Sequence, residues 1–267
     1  MLDSESNNIL HHLPHLALYH EKIEQSDSDE ETKSSASKPT LNTFALHLAL
    51  QGQDTEFWNI FANKIIPDIH PTSSIPVVDK DTRDGKMIVR FKAEKVESLT
   101  EFLSRSTDKH LTYQQVKLFV EHSYKTLENL EENSLTLLTL EDSDFIVINE
   151  TFFVFINDLK VVQLRENGSF AISTIFEKTK FMSPELHAIS KIPSSIRHGF
   201  NSALFSLGLL ATQLISGKCV AVGDGANISE RIQEVKENLH VIYHTQLYWC
   251  ILRCLSKSVK ERNYVLF

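Results

Sequence analysis

Four histidines lie close together near the start of the chain and could bind a metal ion. They fall within residues 10–20, which read LHHLPHLALYH. Histidine nitrogens are common zinc ligands, but zinc-binding sequences usually space their ligands regularly. Here the spacing is irregular and Pro14 interrupts the stretch. We therefore favour a short strand or an ordered N-terminal extension over a metal site.

Three cysteines form a second group of reactive side chains. Cys219, Cys250 and Cys254 do not make a disulfide framework. Cys250 and Cys254 are spaced i, i+4 on a predicted apolar helix, which favours a place in the core over a metal or redox role. We expect a reducing compartment, cytoplasmic or nuclear. No stretch of the sequence approaches the roughly 20 apolar residues that span a bilayer.

The charge of the chain is acidic and uneven. Its formal net charge is -8 at pH 7, whereas nonspecific nucleic-acid binding needs a concentrated basic face. Much of the acid lies in residues 21–31, and residues 25–40 are so polar that we predict a mobile loop. Ser26 and Ser28 directly precede acidic residues, which makes them candidate phosphorylation sites. A merely solvating acidic loop is the alternative.

Hydrophobic periodicity predicts the elements that would position functional groups. The first half is predicted to hold a strand, a helix and a strand pair, at 44–50, 54–66, 74–79 and 86–91. The second half is predicted to hold a long helix, a hairpin, two short strands and three helices, at 112–130, 145–156, 159–164, 169–173, 201–216, 229–239 and 243–256. The hairpin is the clearest element because β-branched and aromatic residues dominate both of its arms.

Three short motifs follow one another in the helical half. Residues 182–186 read MSPEL, residues 206–208 read SLG within a predicted apolar helix, and Arg262 follows later. This ordered set resembles protein kinases, in which a Ser-Pro-Glu or Ala-Pro-Glu triplet ends the activation segment and a Ser-Leu-Gly-like run begins a central helix. A late arginine of that family pairs with the glutamate of the triplet. The resemblance therefore implies a buried ion pair between Glu185 and Arg262.

The resemblance also implies the fold. We expect an α+β protein-kinase-like fold of two lobes, with a reduced β-rich N-lobe and a mainly helical C-lobe. The expected domains are an N-terminal strand or extension with the acidic loop at 1–40, the N-lobe at 41–95 and the C-lobe at 96–267. Motifs support the resemblance over residues 111–267, and the order of elements supports it over 44–104.

The same resemblance implies that the positions of phosphoryl transfer are altered. No glycine occurs before Phe44, so the glycine-rich hairpin that covers the phosphates in kinases is missing. His47 stands where the family has its ATP-binding lysine. Thr139 stands at the catalytic aspartate, whose role as a base a threonine cannot take. Ala203 replaces an aspartate that hydrogen-bonds the catalytic-loop backbone in active kinases, which agrees with a loop that is no longer required to hold catalytic geometry.

Two carboxylates remain near the expected cleft and could bind magnesium weakly. By the resemblance, Asp144 replaces a metal-binding asparagine, and either Asn157 or Asp158 replaces a metal-binding aspartate. Carboxylates suit magnesium, but after a hairpin they are more often turn residues or caps. We therefore expect no metal and no cofactor. Leu159 and Lys160 also lack the Phe-Gly pair with which active kinases switch.

These substitutions lead us to expect a catalytically inactive pseudokinase that acts as a protein-interaction scaffold or an allosteric regulator. Its partner would be a protein, such as a true kinase or a signalling or cytoskeletal protein, and not nucleic acid or a membrane. Two alternatives stay open: an atypical phosphotransferase that uses Asp144, Asp158 and a rearranged lysine, and a peptide-binding module related to kinase non-catalytic C-lobe domains. Tyr243, Tyr248 and Trp249 could form an exposed interface, although packing of the last helix is the favoured interpretation.

Overall fold

The computed structural model describes most of the chain in separate segments. They are residues 9–13, 16–21, 42–49, 55–60, 77–83, 86–106, 109–167, 169–172, 179–189, 194–196, 199–220 and 227–264. The candidate phosphorylation sites Ser26 and Ser28, and the predicted loop at 25–40, lie outside the described residues.

Five strands of the N-terminal part form one antiparallel sheet. They are β1 (Ile9–Leu13), β2 (Leu16–Glu21), β3 (Asn42–Ala49), β4 (Val77–Arg83) and β5 (Lys86–Ala93), in the spatial order β1-β2-β3-β5-β4. The histidine-rich stretch thus forms the β1–β2 hairpin, and the sheet continues across the boundary expected at residue 40. Within the described residues, no three histidine, cysteine, aspartate or glutamate side chains are grouped to hold a metal ion.

Burial alternates along the fifth strand because successive side chains of a strand point to opposite faces. Val89 and Phe91 are buried, while Arg90 between them is half-buried. α1 (Thr55–Ile60) follows β3 and contributes Trp58 to the same core cluster. The remainder of the predicted helix lies outside the described residues.

A short link connects the sheet to the helical part. It runs through β6 (Val96–Ser98) into α2 (Leu99–Arg105). The side chain of Asn149 accepts hydrogen bonds from the backbone N–H groups of Glu94 (2.8 Å) and Lys95 (3.2 Å). The turn of the later hairpin therefore holds the link in place.

The long helix and the hairpin are confirmed close to where they were predicted. They are α3 (Tyr113–Glu132), then β7 (Leu135–Leu137), then β8 (Phe145–Ile148) and β9 (Phe152–Phe155). β8 also pairs with β6, so the sheet β6-β8-β9 is formed and packs against α3. Aromatic rings fill this contact, as between Phe119 and Phe145, whose ring centroids are 5.0 Å apart.

The remaining elements include one long apolar helix. They are β10 (Val161–Gln163), β11 (Phe170–Ile172), α4 (Pro184–Ile189), β12 (Ser194–Ile196), α5 (Gly199–Ser216), α6 (Ile228–Asn238) and α7 (Gln246–Cys254). β10 pairs with β7, and β11 pairs with β12. α5 packs against both α3 and α7 and is buried throughout residues 202–212, as expected for a helix that is apolar all round. Even so, no helix in the described part of the chain is long and apolar enough to cross a membrane.

The last helix buries one face and exposes another. Cys250 and Cys254 lie in the core as predicted, whereas Cys219 is exposed. Tyr248 is buried as well. The aromatic set considered for an interface is therefore exposed only at Tyr243 and Trp249.

Candidate functional site

The loop after β7 is held by a hydroxyl group of the central helix. Thr139, at the position expected for a catalytic aspartate, is only 2% exposed. Its hydroxyl lies 2.9 Å from that of Thr179 and 3.1 Å from that of Ser206. Ser206 also accepts a hydrogen bond of 2.7 Å from the backbone N–H of Leu140. Three neutral hydroxyl groups thus stand where a carboxylate was expected.

Ser206, and not Ala203, is the residue of α5 that holds this loop. Ala203 is buried in α5 and has no polar side chain, yet the loop is anchored by Ser206 three residues later. Residues three positions apart lie on the same face of a helix, so the hydroxyl reaches the same loop. The loop is therefore held in a defined geometry despite the loss of the aspartate.

Asp144 is fully buried, and both of its carboxylate oxygens accept hydrogen bonds. One oxygen accepts from Nδ2 of Asn157 at 2.7 Å. The other accepts from Nζ of Lys160 at 2.6 Å and from the backbone N–H of Glu141 at 2.7 Å. Lys160 also donates to the carboxylate of Glu141 at 2.9 Å, so one lysine serves two acids. We call these four residues the Asp144 cluster.

Burial raises the pKa of Asp144 above its usual value. The charge of Lys160 and the hydrogen bonds from Lys160, Asn157 and the Glu141 backbone act in the opposite direction, but they do not offset the lost hydration. A magnesium ion at this carboxylate would have to displace a lysine and an amide from oxygens that they already occupy. The geometry therefore disfavours a metal ion at Asp144.

The second expected metal position is shared by two residues with different roles. Asn157 turns toward Asp144, whereas Asp158 is buried and accepts a hydrogen bond of 3.0 Å from Nε1 of Trp58. Trp58 lies in α1, so this bond joins the helix of the N-terminal part to the start of the 3-10 turn Asp158–Lys160. A buried indole N–H usually needs an acceptor, and Asp158 supplies it.

His47 occupies a strand position that offers no substitute for a phosphate-binding lysine. It is half-buried in β3, and its ring centroid lies 4.4 Å from that of Tyr19 on β2. It stands opposite Ala17 of β2 and Ile88 of β5.

Glu185 and Arg262 form the ion pair that the resemblance implies. Arg262 donates from Nη2 to one carboxylate oxygen of Glu185 at 3.1 Å and from Nη1 to the other. Ser202 donates to the same carboxylate at 2.6 Å, and Nε of Arg262 donates to the carbonyl of Ser256 at 2.9 Å. The guanidinium also lies 4.6 Å from the ring centroid of Phe205. The pair thus joins α4 and α5 to the segment that follows α7.

The partners of Glu185 determine the direction of its pKa shift. Burial alone would raise the pKa of this carboxyl. The hydrogen bond and charge of Arg262, with the hydrogen bond from Ser202, outweigh burial and hold the pKa below its usual value. Glu185 is therefore ionised and firmly paired near neutral pH.

Three residues of this region escaped prediction from the sequence. Lys160 gave no local signal, because its contact with Asp144 depends on how the hairpin folds back. Ser206 gave a weak signal as a hydroxyl in an apolar helix. Trp58 gave a clearer one, since a buried indole needs an acceptor, although the sequence could not name Asp158 as that acceptor.

Of the comparisons with known proteins, only the one with solved structures supports a fold. No protein-family model matches the sequence, and no curated protein matches it. Among solved structures, the chain is similar to one described as titin kinase and its flanking domains, with probability 1.00, a TM-score of 0.54 and 12% sequence identity. The match covers 94% of this chain, which spans 43% of the length of that one. With a β-rich N-terminal part and a mainly helical C-terminal part, the chain has a protein-kinase-like fold.

Proposed function

We propose that this chain is a pseudokinase, a kinase-like domain without phosphotransfer activity that acts by binding another protein. The observation that carries the proposal is Thr139. Its hydroxyl is enclosed between those of Thr179 and Ser206, at the position where the resemblance places the catalytic base. A neutral hydroxyl does not accept the proton of a substrate as a carboxylate would.

The Asp144 cluster supports the same proposal. Phosphoryl transfer depends on metal ions that neutralise the developing charge on the phosphates. Lys160 and Asn157 already bond to the carboxylate oxygens that would hold such an ion. His47, at the expected lysine position, packs against an aromatic ring and extends less far than a lysine would.

An atypical phosphotransferase is the second candidate, and one contact favours it. Lys160 lies 2.6 Å from Asp144, which brings a lysine and a buried carboxylate together as a rearranged active site would require. A module limited to the helical part fits less well, because five strands form a sheet ahead of it.

Thermal unfolding with nucleotide tests the proposal. We would melt the purified chain alone, with ATP and magnesium, and with ADP and magnesium, and compare the midpoints. Binding to the folded state stabilises it by about 2.7 kcal/mol at a hundredfold excess over the dissociation constant. We expect no shift at millimolar nucleotide and no transfer of labelled phosphate to the chain or to a generic protein substrate.

A substitution makes the result specific to the cluster. A magnesium-dependent shift that disappears in Asp144→Ala would establish a working site and favour the phosphotransferase. Lys218→Ala, at an exposed lysine outside the cluster, is the matched control and should behave like the unmodified chain. Repeating the assay in Thr139→Asp asks whether the restored carboxylate suffices for activity, and we expect that it does not.

A further inference from the structure

A groove between α6 and α7 is suited to hold a large apolar side chain. It has a volume of about 420 Å³ and is lined by Ile232, Leu252, Leu255 and Trp249. We call it the α6–α7 groove. Binding pockets in proteins commonly have volumes of about 300–1,000 Å³, so it has room for one such group from a ligand.

Trp249 is exposed in a way that the packing of α7 does not require. Its side chain is 48% exposed, although its neighbours Tyr248 and Cys250 are buried. The ring is held edge-on to that of Tyr248, with centroids 5.0 Å apart. A tryptophan that is half-exposed and already positioned is typical of the anchors that dominate protein interfaces.

The groove also carries positive charge on an acidic chain. Lys236 and Arg253 line it and are exposed. Among the residues that the structure describes, the side chain of Lys236 has no partner in a hydrogen bond or an ion pair. Glu261 lines the groove as well, so two cationic side chains face one carboxylate there. On a chain of net charge -8, local positive charge around an apolar groove favours an acidic ligand.

A second groove, near the start of α3, lacks this combination. It has a volume of about 540 Å³, and its lining includes Lys218 and Glu237 together with His110. Its one lysine and one carboxylate balance each other, so this lining favours no particular ligand charge. Lys218 therefore provides a matched control, an exposed lysine at a groove of comparable size.

We propose that the α6–α7 groove binds an acidic peptide segment of a partner protein. A large apolar side chain of the segment enters the groove against Trp249, and flanking carboxylates pair with Lys236 and Arg253. This rests on the proposed function, in that a pseudokinase acts through a bound protein, and it specifies the surface and the chemistry of the partner.

Fluorescence anisotropy with designed peptides tests the proposal. The probe is a short labelled peptide of glutamates and aspartates around one central leucine. Two matched peptides replace the leucine by serine or the acidic residues by their amides. We expect micromolar binding of the probe that weakens as salt is raised, and at least about tenfold weaker binding of each matched peptide.

Variants of the chain locate the binding. Trp249→Ala and Lys236→Glu each weaken binding by at least about tenfold, as expected for an anchor and for a reversed charge beside it. Lys218→Glu leaves the affinity unchanged. Both altered side chains of the groove are exposed, so circular dichroism and melting should show that the variants fold normally.

Three results would overturn the proposal. One is the absence of binding at millimolar probe, and another is equal loss of binding in Lys236→Glu and Lys218→Glu. The third is equal binding of the serine peptide, which would reduce the effect to attraction between a polyanion and a basic surface. None of these three results bears on catalysis. Magnesium-dependent nucleotide binding, in contrast, would contradict the proposed function without bearing on peptide binding at the α6–α7 groove.

Discussion

Glu185, which is partly buried, and Asp144, which is fully buried, each pair with a cation, yet their pKa values move in opposite directions. The pKa of Glu185 is lowered and that of Asp144 is raised. The first pair ties helices together in the C-terminal part, and the second joins the turn before β8 to the turn after β9. The contrast therefore compares two ways of holding a carboxylate beside a cation.

The difference follows from geometry and burial. Glu185 keeps 21% of its side chain exposed and receives two hydrogen bonds from Arg262, a planar donor suited to a carboxylate. Asp144 has no exposed surface, and its lysine is shared with Glu141. A cation therefore lowers the pKa of a buried acid only where its bonds outweigh the lost hydration. A position resembling a metal site can in this way become an internally neutralised contact.

Removing the arginine should have the largest effect. Arg262→Ala leaves the Glu185 carboxylate unpaired in a mostly buried place, and we expect the free energy of unfolding to fall by about 3–5 kcal/mol. Urea denaturation measures the change. Arg231→Ala is the control, because the side chains of Arg231 and its partner Glu234 are 43% and 42% exposed, and it should cost no more than about 1 kcal/mol. Equal losses in the two variants would contradict the structural role of the Glu185 pair.

Removing Lys160, which Asp144 and Glu141 share, should lower the free energy of unfolding somewhat less, and the loss should depend on pH. Lys160→Met leaves Asp144 buried without its cation, and we expect a loss of about 3 kcal/mol at pH 7. The raised pKa of Asp144 means that its ionisation opposes folding, so its contribution to stability falls as pH rises from the unfolded toward the folded pKa. Without Lys160 that pKa rises further, so the loss should shrink at pH 5.

Lys125→Met is the control for this variant, since Lys125 pairs with Glu128 on the exposed side of α3. We expect a change of at most about 1 kcal/mol with no dependence on pH between 5 and 7. A loss in Lys160→Met that stays constant over the same range would show that Asp144 is not the cause.

Removing the Ser206 hydroxyl, which anchors the loop after β7, should have the third largest effect on stability. Ser206→Ala leaves the buried N–H of Leu140 without its acceptor, and we expect a loss of about 2 kcal/mol. Amide hydrogen exchange at Leu140 should quicken more than exchange in α3. Ser104→Ala, whose hydroxyl donates to the Glu101 carbonyl at the surface, should change neither measurement. Unaltered exchange in Ser206→Ala would mean that the loop is held by other contacts.

The smallest effect concerns the second donor to Glu185. Ser202→Ala removes one hydrogen bond to the ionised carboxylate, and we expect a loss of about 1 kcal/mol at pH 7. The lowered pKa of Glu185 contributes stability above the unfolded pKa, and this is lost as pH falls through the folded pKa. The variant should therefore differ from the unmodified chain at pH 7 and converge with it in acid.

Ser256→Ala is the control for Ser202→Ala, because the Ser256 hydroxyl donates to a carboxylate that is exposed, that of Glu261, at 3.0 Å. It should change stability by no more than about 0.5 kcal/mol at either pH. A difference between Ser202→Ala and the unmodified chain that persists in acid would assign the loss to packing and not to the charge of Glu185.

Much of the fold followed from the sequence where the signal is local. The period of apolar residues predicted α3, the β8–β9 hairpin and α5 near their observed bounds. The motif around Glu185 and the late Arg262 predicted their pairing across 77 positions, because family resemblance carries long-range information that periodicity lacks. The sequence did not identify Ser206 as the residue of α5 that anchors the loop.

The amino-acid sequence by itself determined where most of the helices and strands form, because propensity and apolar period act within a few positions. Only the tertiary structure decided that Lys160 neutralises Asp144, that Trp58 bonds to Asp158 and that Ser206 holds the loop. Those contacts join residues 16 to 100 positions apart. The partners of buried polar groups depend on how the elements pack and on the free-energy cost of leaving such groups unpaired. A local sequence pattern contains information on neither.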